Sequence, residues 1–169
     1  IPSGTLLTFA GTAGETQTVT VPVQGDSTVE LDETFSVTLA TPSNAQVTLA
    51  AASGTGTISN DDGATVQFAP ISVSQSEATS PMTFTVTLSN PVQSGVTLVV
   101  NSMPGTATAA DFTAIVAGAV SFAANSTTSQ TINVSVNNDA IDEDDESFSL
   151  VLSDLVASGS VTLGAASAE

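Results

Sequence analysis

Apolar and small polar side chains alternate residue by residue through most of this chain. In "TQTVTVPV" (16–23), "TFSVTL" (34–39), "MTFTVTL" (82–88), "GVTLVVN" (95–101) and "QTINVSV" (130–136), Val, Ile, Leu or Phe recurs at every second position with Thr, Ser or Asn between. Successive side chains of a strand point to opposite faces, so this pattern specifies half-buried antiparallel strands, one face on a core and one in water. No segment keeps a 3.6-residue apolar period, and no long helix is expected. The intervening stretches, such as "GTAGE", "SNDDG" and "SNPVQSG", are built from Gly, Pro, Asn, Asp and Ser, which favour turns.

The chain also repeats itself. "LTFAGTAGETQTVTVPVQGDSTVELDETFSVTL" (7–39) aligns with "VSFAANSTTSQTINVSVNNDAIDEDDESFSLVL" (120–152), placing Asp26 on Asp139, Glu30 on Glu143, Glu33 on Glu146 and Phe35 on Phe148, all 113 residues apart, as Phe9 is from Phe122. After one extra residue, "VTLAAAS" (47–53) falls on "VTLGAAS" (161–167). Residues 1–62 therefore read as the C-terminal part of one unit, ending in "GTGTISNDD". Residues 63–169 read as a second unit that stops before its own version of that ending. A period of this length with about seven short strands predicts an all-β fold of tandem Greek-key, immunoglobulin-like β-sandwiches. The Phe residues at matched positions, Phe9, Phe35, Phe122 and Phe148, read as core plugs.

Charge narrows the function. The 169 residues contain 17 acids and no Lys, Arg or His, a formal net charge of −17. Nucleic acid and anionic membrane surfaces need basic side chains to offset their charge, so neither is an expected partner. Without His or Cys there is no thiol nucleophile, no Ser-His-Asp triad, no Cys/His zinc site and no disulfide. A hydrophobic content of 41% still provides for a packed core rather than a disordered acidic tail. The opening "IPSGTLLTFAG" has neither an initiator Met nor a basic leader, so the chain reads as a soluble excerpt of something longer.

The acidic stretches carry a resemblance. "GDSTVELDETFSVTLATPSNAQVTLAAASGTGTISNDD" (25–62) has an Asp four residues before a Glu, an acidic run leading into Phe, a Pro-Ser-Asn-Ala turn and a "GT-x-TI-x-NDD" ending. It resembles the Calx-beta repeat, a module of sodium/calcium exchangers and of many large bacterial surface proteins. "SVSQSEATSPMTFTVTLSNPV" (72–92) and "GTATAADFTA" (105–114), with Phe112 in place of the family's Tyr, resemble that repeat's earlier elements. The resemblance implies Ca²⁺ at one end of each sandwich. Carried over, the second-copy ligands would be Glu77, Asp111, Asp139 and Glu143, with Asp145 or Glu146 nearby. Those of the first copy would be Asp26, Glu30, Asp61 and Asp62. Each copy holds part of a site, because the first lacks the early Glu and Asp and the second lacks the terminal Asp pair.

Electrostatics points the same way. Two like charges about 4 Å apart near a surface repel by roughly 4 kcal/mol, so gathered carboxylates call for a cation, and Ca²⁺ takes six to eight oxygen ligands. After Asp139 the loop reads "AIDEDDE", without the Asx spacing or central Gly of an EF-hand. The competing reading of any acidic run is a solvated, solubilising loop, and Asp142, Asp144 and Asp154 read that way. Asn125-Ser-Thr and Asn133-Val-Ser fit a short glycosylation pattern of little specificity. Paired carboxylates could serve glycoside hydrolysis, but there is no Trp or Tyr to stack a sugar, and no enzyme is expected. The expected role is a calcium-binding structural repeat of an extracellular adhesin, stalk or biofilm protein on a bacterial surface, with neighbouring repeats or identical chains as partners and calcium stiffening the junction at Asp61 and Asp62. The alternative is a filament in which chains complete each other's sandwiches by strand exchange.

Overall fold

Alternation becomes a strand only where a partner strand stands beside it. The computed structural model describes residues 4–169, and among them it contains strands, turns and extended segments but no helix. Two strands lie in the first copy, β1 (Glu33–Thr38) and β2 (Ser53–Ile58), paired as an antiparallel hairpin. The second copy follows with β3 (Gly63–Phe68), β4 (Met82–Leu88), β5 (Val96–Pro104), β6 (Gly118–Phe122), β7 (Gln130–Val134), β8 (Phe148–Ala157), β9 (Ser160–Leu163) and β10 (Ser167–Ala168).

These strands form a sandwich of two four-stranded sheets, ordered β7-β4-β3-β9 and β10-β8-β5-β6. All neighbours are antiparallel except β3 and β9, which run parallel from Gly63↔Ser160 to Val66↔Leu163. The apolar half of each alternation points inward. Val66, Phe68, Phe84, Val86 and Val134 of one sheet meet Val96, Leu98, Val120, Phe122, Leu150 and Leu152 of the other, all buried. Phe84 sits at the centre, edge-on to Phe68 at 6.3 Å and to Phe148 at 6.0 Å between ring centroids.

The internal repeat extends to strand register. Thr38↔Ser53 and Val37↔Gly54 pair in the first copy, and their repeat counterparts pair as Val151↔Ser167 and Leu150↔Ala168 in the second. The β1–β2 hairpin is thus the equivalent of β8 and β10.

Two expectations need correction. The stretch 16–23 forms no strand, although its counterpart is β7. In the second copy β7 is hydrogen-bonded along β4 and β6 along β5, and residues 4–62 contain no counterpart of β4 or β5. Without a ladder the segment stays extended and its apolar side chains stay wet: Leu6 is 85% exposed, Phe9 55% and Val23 56%. Phe9 is therefore no core plug, whereas Phe122 and Phe148 are buried and Phe35 is half-buried.

Candidate metal centre

The second-copy site is assembled where three loops meet at one end of the sandwich. The segment 105–114 is pinned first: Gly105 N–H and Ala107 N–H donate to the Ser147 carbonyl at 3.1 and 2.9 Å. A side chain at Gly105 would strike that same carbonyl, its Cβ falling 2.6 Å away, so a glycine is needed for this close approach. Ser147 N–H donates in turn to Thr106 Oγ1 at 2.8 Å. Phe112 then stacks on Phe148, centroids 4.3 Å apart and planes 15° from parallel. With two neighbouring aromatics clamped together, Asp111 and Glu146 are brought to the same rim.

Within that rim Asp111 is the fixed member. Its Oδ2 accepts from Thr108 N–H at 2.6 Å and from Thr108 Oγ1–H at 2.8 Å. Its backbone carbonyl accepts from Asn137 N–H at 2.8 Å. Carboxylate oxygens of Asp111, Glu143 and Glu146 lie within 4.8 Å of one another. Glu77, Asp145 and the remainder of the 141–146 loop line the same cleft of about 700 Å³.

The protonation energetics follow from this crowding. The Thr108 N–H and hydroxyl hold the Asp111 carboxyl below the ordinary range, and a hydrogen bond with Glu146 adds to the effect. Glu146 is pushed up, by loss of solvation within the cluster and by the Asp111 charge and hydrogen bond, with Glu143 contributing. Glu143 is also pushed up, by loss of solvation and then by Asp139, Asp111 and Glu77. The two raised glutamates and the depressed aspartate form one coupled anionic group. With no base in the chain, what suits this group is a proton or a hard, oxygen-seeking cation.

Asp139 and Asp26, aligned by the repeat, occupy the same local structure. Asp139 Oδ1 accepts from Ile141 N–H at 2.7 Å, and Asp26 Oδ1 accepts from Thr28 N–H at 2.6 Å. Each closes a tight turn at the head of the acidic loop, an arrangement Asp favours. Asp139 is thus an electrostatic neighbour of Glu143 and lies outside the tight group. The Asp142 and Asp144 residues, read as solvated surface, are exposed but line the cleft.

The member underweighted by sequence reading is Glu146. It stands two residues before buried Phe148, and its carboxylate lies within 4.8 Å of those of Asp111 and Glu143, whereas Asp145 lines the cleft outside that group. Asp32/Asp145 and Glu33/Glu146 are both matched in the repeat, so the alignment marks this stretch without separating its two acids.

In the first copy, Asp26, Glu30, Asp61 and Asp62 all line a single smaller cleft of about 250 Å³, joined by Glu33. Asn60 binds its two walls together. Its Oδ1 accepts from Glu30 N–H at 3.0 Å, its N–H donates to Asp32 Oδ1 at 2.9 Å, and its Nδ2–H donates to the Asp62 carbonyl at 2.8 Å. Asp62 leads directly into β3, so this cleft lies where the first copy passes into the second.

Comparison with known proteins gives a consistent family. The family model described as the Calx-beta domain matches residues 2–62 and again 59–168. Among solved structures, the apo-form Calx CBD1 domain superposes with a TM-score of 0.56 at 22% identity, covering 63% of this chain and 95% of that one. The CBD12 structure from CALX1.2 gives a TM-score of 0.56 at 21% identity, covering 62% of this chain and 41% of that one. No curated protein matches the chain.

Proposed function

The chain belongs to the Calx-beta domain family, and on that premise we propose that it is a calcium-binding, non-enzymatic structural repeat of an extracellular stalk, adhesin or biofilm matrix protein on a bacterial surface. The single observation that carries the calcium reading is the convergence of Asp111, Glu143 and Glu146 to within 4.8 Å in a chain without a basic side chain. The donors are all oxygen, as Ca²⁺ prefers, and Glu77 and Asp145 on the same cleft are further ligand candidates. Asp26, Glu30, Asp61 and Asp62 would hold an ion at the junction, relieving repulsion in the loop next to β3. Extracellular calcium modules work at about 10⁻⁴–10⁻³ M, which suits exposed clefts of this kind.

Calorimetric titration with Ca²⁺, paired with thermal melting, tests the reading. A ligand that binds only the folded chain stabilises it by about 2.7 kcal/mol at a hundredfold excess over Kd. Heat of binding and a raised Tm are expected. No heat and an unmoved Tm would return both loops to solvated surface.

A specific observation favours a second reading, the strand-exchanged filament. In the second copy β8 pairs with β5 on one side and β10 on the other, whereas among the described residues β1 pairs with β2 alone. An open edge beside half-buried Phe35 and Val37 is a template for a strand from another chain. A monodisperse monomer at high concentration with calcium would count against it.

A further inference from the structure

Among the described residues of the first copy one is fully buried, and it is buried in the second. Val29 is 0% exposed and packs with the second sandwich's core, while Leu31, two residues on, is 61% exposed. Its backbone forms a parallel bridge to Val92: Val29 N–H donates to the Pro91 carbonyl at 2.8 Å, and Gln93 N–H donates to the Val29 carbonyl at 2.9 Å. The opposite wall is Gly159, at φ +76°, where an added Cβ would lie 2.6 Å from Val29 Cγ1 and 2.9 Å from the Glu30 carbonyl.

The socket is tied together by the second copy itself. The Val92 carbonyl accepts from Gly95 N–H at 3.0 Å and Asn125 N–H at 2.9 Å, and Ser94 Oγ lies 2.6 Å from Ser158 Oγ. It therefore presents one apolar cavity and one strand-like edge to whatever loop precedes it.

We propose that this surface is a selective docking site for the acidic loop of a preceding repeat that carries an apolar residue three positions after the loop's first Asp, as Val29 follows Asp26. The second copy's own loop has Asp142 at that position, by the 113-residue alignment. Seating Asp142 in a socket of this kind would bury a carboxylate where the chain has no base to pair it. Ile141, the nearest apolar side chain, is one residue out of phase, so seating it would turn Glu143 away from its cluster. The socket thus accepts the first copy's loop and rejects the second's, which joins the two copies as a fixed, directional pair. The contact uses backbone and apolar groups, so it forms without an ion, and it lies beyond the calcium reading.

Amide hydrogen exchange on the whole 169-residue chain in chelator tests this. The Gln93 amide is expected to be protected in the parent chain and to exchange at least about tenfold faster in both Val29→Asp and Gly159→Ala, with the β4 amides unchanged. A Gln93 amide that stays protected in both variants, or exchanges freely in the parent, overturns the proposal. Calcium titration of the same samples separates the two readings. Loss of Gln93 protection in the variants with no calcium uptake by the parent keeps the docking site and discards the calcium function; calcium uptake with Gln93 indifferent to both substitutions does the reverse.

Discussion

At the scale of single residues, the acidic rim stores a conflict that pH resolves. Glu143 and Glu146 sit above the ordinary glutamate value of 4.5, so on the acid side of neutrality the folded chain binds protons that the unfolded chain does not. Stability therefore rises as pH falls through their raised values. Asp111 works in the opposite sense: held below its ordinary 3.8, it contributes stability that is present above that value and lost as pH falls through its depressed one. The metal-free chain should show a Tm maximum on the acid side of neutrality, checked by calorimetric scans across pH. A steady fall in Tm from neutral pH downward would mean that the glutamates are not in conflict. With saturating calcium the rise should vanish, since protons then compete with the ion. Glu146→Gln removes one of the repelling charges, so it should raise the metal-free Tm at neutral pH and weaken calcium at least about tenfold, ligand charge count being what tunes such sites.

At the scale of elements, Phe9 and Phe122 are repeat counterparts with different fates. Phe122→Ala, in the buried face of β6, should cost about 3–5 kcal/mol in denaturant unfolding. Phe9→Ala, on a segment without a ladder, should stay within about 0.5 kcal/mol of the parent. Comparable losses would mean that the segment around Phe9 packs against something in solution. The pair also marks the limit of what alternation discloses. "MTFTVTL" (82–88) is β4 to the residue, because its partners β3 and β7 are encoded nearby. "TQTVTVPV" has an equal pattern and no partner, and a side-chain period says nothing about whether a neighbouring strand exists. For the sites, the repeat marked the acidic loops, and the family resemblance pointed to Asp26, Glu30, Asp61 and Asp62, which line one cleft. It could not separate Asp139, which closes a turn, from Glu146, which meets Asp111, because that distinction arises from the Phe112–Phe148 stack. Val29 escaped notice for a related reason, as its burial comes from the second copy.

At the scale of the whole molecule, seventeen acids and no bases make the folded chain repel itself, and diffuse screening and site binding relieve that repulsion differently. Raising monovalent salt shortens the screening length from about 10 Å at 0.1 M to about 3 Å at 1 M. The carboxylates within 4.8 Å of one another at Asp111, Glu143 and Glu146 are closer than screening reaches at ordinary salt, so sodium should relieve mainly the long-range part. A specific ion acts on the short-range part. In thermal melts, Ca²⁺ in the millimolar range, where extracellular calcium modules bind, should raise Tm by more than a hundredfold higher concentration of NaCl does. Mg²⁺, which sheds water reluctantly and demands octahedral geometry, should fall between the two. Equal shifts from Ca²⁺ and Mg²⁺, both matched by sodium, would mean that the charge is relieved everywhere at once and that neither cleft is a site.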